Sequence, residues 1–170
     1  MGLLSFVKEA GEKLFPHKDV EAAQSTLAAK PDDGAAQAKV AQLKQTAADA
    51  IKNYIATQNL TADGLTVAFD GATQVATVSG TAADQQTKEK IVLCCGNVTG
   101  VASVDDQLTV AQSAPEARYY TVVSGDTLSK ISRSEYGDAN KYPAIFEANK
   151  PMLSSPDRIY PGQVLRIPPQ

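Results

Sequence analysis

Seven of the nine prolines lie at or beyond Pro115 and five of the six tyrosines lie beyond Arg118, so the chain changes composition once and sharply. Two compositions predict two domains. At 170 residues the chain is close to the roughly 150 residues of an average domain, so each half has only a modest core. The small, polar run Ala111-Gln112-Ser113-Ala114-Pro115-Glu116-Ala117-Arg118 reads as the connection. Residues 1–114 carry 9 lysines, no arginine and 13 acidic residues, a net charge of -4, against 7 basic and 6 acidic residues afterwards. The overall charge of -3 and pI near 5.1 exclude a basic nucleic-acid binder.

Hydrophobic content of 43% with 21% charged residues is that of a folded chain. No apolar run reaches the roughly 18 residues that span a bilayer. Lys8, Glu9 and Glu12 occupy the stretch where a secretion signal needs its apolar core, and Phe6 stands where a myristoylation motif places Ser or Thr. A cytoplasmic monomer is expected. Cys94 and Cys95 are the only cysteines. Their adjacency rules out a disulfide framework and lacks the spacing of a thiol redox pair, so they read as small apolar helix residues.

Leu3, Phe6, Val7, Ala10 and Leu14 share one face of a helical wheel, predicting an N-terminal helical segment in which Gly11 turns the chain. His17 to Gly34 has little periodicity and reads as a linker, with His17 an exposed loop residue. From Ala35 onward, Val40, Leu43, Ala47, Ile51 and Tyr54 mark a long amphipathic helix. Leu65, Val67 and Phe69 alternate as a strand, Asp70-Gly71 supplies a hairpin turn and Gln74 to Ser79 the return strand. A second helix after Thr81, carrying Ile91, Val92, Cys94 and Cys95, ends at Gly96, and a third strand runs from Val101 to Val110. The order is α-β-β-α-β.

That order, with Phe69-Asp70-Gly71, Val75-Ala76-Thr77-Val78-Ser79-Gly80 and Val98-Thr99-Gly100-Val101-Ala102-Ser103-Val104-Asp105-Asp106-Gln107-Leu108, resembles the BON domain over residues 37–112. After a linker at 113–118, residues 119–170 carry Tyr120-Thr121-Val122-Val123-Ser124-Gly125-Asp126-Thr127-Leu128, Tyr136-Gly137, Ile145-Phe146-Glu147-Ala148-Asn149 and Ile159-Tyr160-Pro161-Gly162-Gln163-Val164-Leu165-Arg166-Ile167-Pro168, and resemble a LysM domain. Here Asp126 is expected to cap a helix that Gly137 ends, Asn140 to cap a second helix, and Pro161-Gly162 to form a type II turn. The expected fold is α+β, with a BON unit, a β-α-α-β LysM unit and a helical segment with linker at 1–36.

Both domains, preceded by Gly2-Leu3-Leu4 and Phe6-Val7-Lys8-Glu9-Ala10-Gly11-Glu12-Lys13-Leu14, are similar to the small cytoplasmic potassium-binding proteins of bacteria. The resemblance implies a K+ sensor or buffer with ion-dependent ordering of the domains, whose ion is held by the backbone carbonyls of Val7, Ala10, Glu12, Gly96, Val98 and Gly100. The chemistry is reasonable: potassium prefers oxygen ligands, and neutral carbonyls do not favour divalent ions as carboxylates do. Read without the resemblance, Gly11 and Gly96 are ordinary helix ends. The rival reading is an envelope module that binds N-acetylglucosamine-containing glycans through LysM, which requires export. Enzyme motifs of the G-x-S-x-G, H-E-x-x-H and P-loop types do not occur, and Asp105-Asp106, adjacent on a strand, face opposite ways. No catalytic residue is assigned.

Overall fold

The computed structural model describes residues 2–170. In chain order its elements are β1 (Gly2–Ser5), α1 (His17–Ala29), α2 (Gly34–Thr57), β2 (Ala62–Asp70), β3 (Val75–Asp84), α3 (Gln85–Gly96), β4 (Ser103–Gln112), β5 (Arg118–Thr121), α4 (Leu128–Tyr136), α5 (Tyr142–Ala148) and β6 (Val164–Ile167), with a 3-10 turn at Ala139–Lys141. A mixed α+β architecture is therefore present.

The first four-stranded sheet has the order β1-β4-β3-β2. Asp70 closes the β2–β3 hairpin by accepting from the amides of Ala72 at 2.8 Å and Thr73 at 3.3 Å, the Asx-type turn chemistry expected of Asp before Gly. From β3 the chain crosses through α3 and returns as β4, parallel to β3. Asp84 caps α3, accepting from the Thr87 amide at 2.7 Å, so the helix starts at Gln85 rather than directly after Thr81, the intervening residues extending β3. Leu43, Ala47, Ile51 and Ile55 of α2 join Ile91, Val92, Cys94 and Cys95 of α3 and Phe69, Ala76, Val78, Val104 and Leu108 of the strands in one core.

Two expectations for residues 1–36 are corrected. Gly2–Ser5 is a strand rather than a helix, antiparallel to β4, with Gly2 opposite Asp106 and Ser5 opposite Ser103. The helical spacing of Leu3, Phe6 and Val7 is overridden because the open edge of β4 offers a row of backbone partners to a short segment. The stretch expected to be a linker is largely helix α1. Pro16 precedes it, Asp19 sits in its first turn, and Val20, 2% exposed, is its buried anchor. His17 thus opens a helix and its side chain is only 14% exposed, not a free loop residue. The residue before Pro31 is disfavoured from continuing a helix, and Asp33 restarts the chain as α2 by accepting from the amides of Ala35 and Ala36.

In the second unit β5 and β6 pair antiparallel, Arg118 opposite Ile167 and Thr121 opposite Val164. Val122, Leu128, Ile131, Ile145, Leu153, Leu165 and Ile167 form its core. Thr127, not Asp126, caps α4; Asp126 instead accepts from the Tyr120 hydroxyl and the Val123 amide. Likewise Asp138 rather than Asn140 caps the 3-10 turn leading to α5. Gly137, with φ of 74°, ends α4 in the left-handed conformation. The Tyr160–Gln163 turn closes at 3.1 Å with Gly162 at φ 87°, the geometry of a type II turn.

Candidate functional site

After β1 the chain curls around the loop that follows α3. Phe6 donates its amide to the Ala102 carbonyl at 2.8 Å, and the Lys8 carbonyl accepts from the Gly100 amide at 2.7 Å. A turn then closes from the Ala10 amide to the Val7 carbonyl at 3.0 Å. Beyond Gly11 the direction reverses and Glu12 runs parallel to Val98. Its amide donates to the Asn97 carbonyl and its carbonyl accepts from the Thr99 amide, both at 2.9 Å. The Thr99 hydroxyl, on a residue only 3% exposed, donates to the Gly11 carbonyl at 3.0 Å.

Glycines permit this closeness. A Cβ on Gly11, whose φ is 104°, runs into the Asn97 carbonyl, and one on Gly96 runs into the Phe6 ring. A Cβ on Gly100, at φ 101°, runs into the His17 side chain. Each is a position where backbone must approach a neighbour with no side chain between.

The structure thus brings the N-terminal arm bearing Val7, Ala10 and Glu12 onto the loop bearing Gly96, Val98 and Gly100. The carbonyls differ in what they already hold. Val7 accepts from Ala10, Glu12 from Thr99, and Val98 from Val101 at 3.1 Å. Those of Ala10, Gly96 and Gly100 accept no hydrogen bond among the described residues. A carbonyl has two lone pairs, so a bonded one retains acceptor capacity. Gly96 is the last residue of α3, where unpaired carbonyls and the negative end of the helix dipole favour a cation. Among the described residues no three His, Cys, Asp or Glu side chains are grouped as metal ligands. The oxygen set is neutral and main-chain, which fits a weakly hydrated monovalent ion better than a divalent one.

Sequence reasoning missed Lys8, Asn97 and Thr99, which lace the two segments together. No side-chain pattern marks them in advance, because their contacts depend on two segments some ninety residues apart meeting. A second brace lies outside the loop. Glu21 on α1 accepts from Lys8 Nζ and from Gln74 Nε2, each at 2.7 Å. The Lys8 ammonium holds the Glu21 carboxyl below its ordinary range, and Glu21 raises Lys8 in turn.

The second unit closes over the arm. A Cβ on Gly162 lies 2.7 Å from Ala10 Cβ and 3.1 Å from Val7 Cβ, so the Pro161-Gly162 turn rests on the arm. A cavity of about 220 Å³ between the units is lined by Glu12, Tyr54, Asn97, Met152, Arg158 and Tyr160, among others. Burial pushes the Tyr160 phenol up to about 12 and raises that of Tyr54 also, so both stay neutral.

Residues 43–112 match the model of the BON domain and residues 120–168 that of the LysM domain, so the chain is a two-domain BON–LysM protein. It is 49% identical over 168 residues, 99% of either chain, to the protein named potassium binding protein Kbp of Escherichia coli O6:H1. The chain belongs to that family. Partial relatives include an uncharacterized protein of Deinococcus radiodurans, 45% identical over 42% of this chain and 32% of the relative. An esterase of Mycobacterium tuberculosis is 47% identical over 31% of this chain but only 11% of its own.

Proposed function

We propose that the protein binds one potassium ion as cargo, through the main-chain carbonyls of Val7, Ala10, Glu12, Gly96, Val98 and Gly100, and acts as an intracellular K+ sensor or buffer. The observation that carries this reading is the arm wrapped around the 96–100 loop, with the carbonyls of Ala10, Gly96 and Gly100 accepting no hydrogen bond among the described residues. The name of the full-length relative supports the choice of ion. Binding ties the arm to the loop, so the ion orders the domains: the N-terminal segment on the BON unit, and the LysM unit against both.

An ion that binds only the folded state stabilises it by about 2.7 kcal/mol at a hundredfold excess over Kd. For a chain of this size that raises the Tm by roughly 5–10 °C. Thermal unfolding in potassium chloride should therefore exceed that in sodium chloride at equal ionic strength. Equal midpoints overturn the proposal, and retention on purified peptidoglycan with no potassium response puts the glycan-binding reading in its place. Gly100→Pro removes the amide that meets Lys8 and forbids the positive φ, so the potassium increment should vanish in that variant.

A further inference from the structure

Asn97 stands where three parts of the chain meet. Its main-chain amide donates back to Leu93, ending α3, and its main-chain carbonyl accepts from Glu12 of the arm. Its side chain faces the other way, into the LysM unit. There Nδ2 donates to the Val164 carbonyl and Oδ1 accepts from the Val164 amide, each at 2.8 Å. The amide pairs with β6 as a neighbouring strand does, using both groups of one residue.

Such a two-point bond needs a donor and an acceptor side by side on one side chain, which a carboxamide supplies. It fixes Asn97, and with it the Gly96 and Val98 carbonyls on either side, relative to β6. The Gly162 turn, two residues before Val164, simultaneously rests on Val7 and Ala10. Both segments of the proposed cation site are thus registered against the same short piece of the LysM unit.

We infer that Asn97 is a positioning residue for the ion site: its side-chain amide, bracketing Val164, holds the 96–100 loop in its binding shape and is the contact through which the proposed ion-dependent ordering of the domains reaches β6. This rests on the cation reading above. Coupling is reciprocal, so whatever β6 contributes to ion affinity the ion must return as protection of β6.

The test uses the full chain and potassium chloride as the probe. Potassium affinity is measured by titration calorimetry, and the exchange of the Val164 amide is followed with and without the ion. In the unsubstituted protein potassium should slow that exchange. Asn97→Ala should bind potassium at least tenfold more weakly, and its Val164 amide should lose the potassium-dependent slowing. Asn97→Asp keeps the acceptor, loses the donor and adds a negative charge that by itself attracts a cation. Weaker binding in that variant isolates the lost bond to the Val164 carbonyl, and it carries the test if the alanine variant does not fold. Affinity within twofold of the original in the folded variants, or unchanged slowing at Val164, overturns the inference. No potassium binding by the unsubstituted protein overturns the cation reading itself, and the inference with it.

Discussion

Cys94 and Cys95 are both fully buried at the end of α3. Burial pushes the Cys94 thiol up to about 12 and also raises that of Cys95 well above its ordinary value, with the charges of Cys94 and Asp106 adding to the effect at Cys95. At pH 8 roughly one Cys94 in ten thousand is thiolate, the only nucleophilic form. Both thiols should resist a maleimide in the native protein and react together on unfolding, as mass spectrometry along a urea gradient will report. Acid behaves differently. The Thr87 amide holds the Asp84 carboxyl below its usual 3.8, and the Ala72 amide does so first for Asp70, with Lys44 3.6 Å away adding a little. A carboxylate depressed in the folded state stabilises it above the unfolded pKa, and that stabilisation is lost as pH falls through the folded value. The Tm should therefore drop below about pH 4. Asp84→Asn, which keeps a capping oxygen but cannot titrate, should drop less.

Among the elements, α1 is the one least visible in the sequence. Its core contribution is essentially Val20, seated over Gly71 in the β2–β3 turn, and alanines around one valine give no periodicity to detect. Val20→Ala should cost about 1–3 kcal/mol and speed proteolysis around residues 30–34, measured by urea unfolding and a timed digest. The hairpin, α2 and α3 were legible because Leu65, Val67 and Phe69 alternate, Val40 to Tyr54 keep helical spacing, and Asp70-Gly71 punctuates them. β1 was not, since Leu3 and Leu4 become a strand only in the presence of Ser103 to Asp106, far along the chain. The cap assignments at Asp126 and Asn140 failed by one or two residues, because neighbouring Thr127 and Asp138 are equally good acceptors. For the candidate site, the glycines were readable as turns, but carbonyl ligands have no residue signature. Their selection came from family resemblance alone.

At the scale of the molecule, the two units are joined by a buried ion pair as well as by Asn97. Arg166 Nε donates to Glu89 Oε2, and Glu89 Oε1 also accepts from Gln85 Nε2 and the Ala117 amide, both at 2.9 Å. Glu89 is 2% and Arg166 7% exposed. Removing one partner strands the other as an unpaired buried charge, at a cost of about 3–5 kcal/mol. Glu89→Ala should accordingly split a single calorimetric unfolding transition into two, the LysM unit separating first.

The pairing of Ser5 with Ser103 also bears on biosynthesis. The arm leaves the ribosome early, yet the strand it must join is translated roughly a hundred residues afterwards, about 5–20 s at ordinary elongation rates. A nascent chain therefore carries half of the proposed cradle with nothing to close it against, and on that reading an ion can be held only once the 96–100 loop and β4 have emerged.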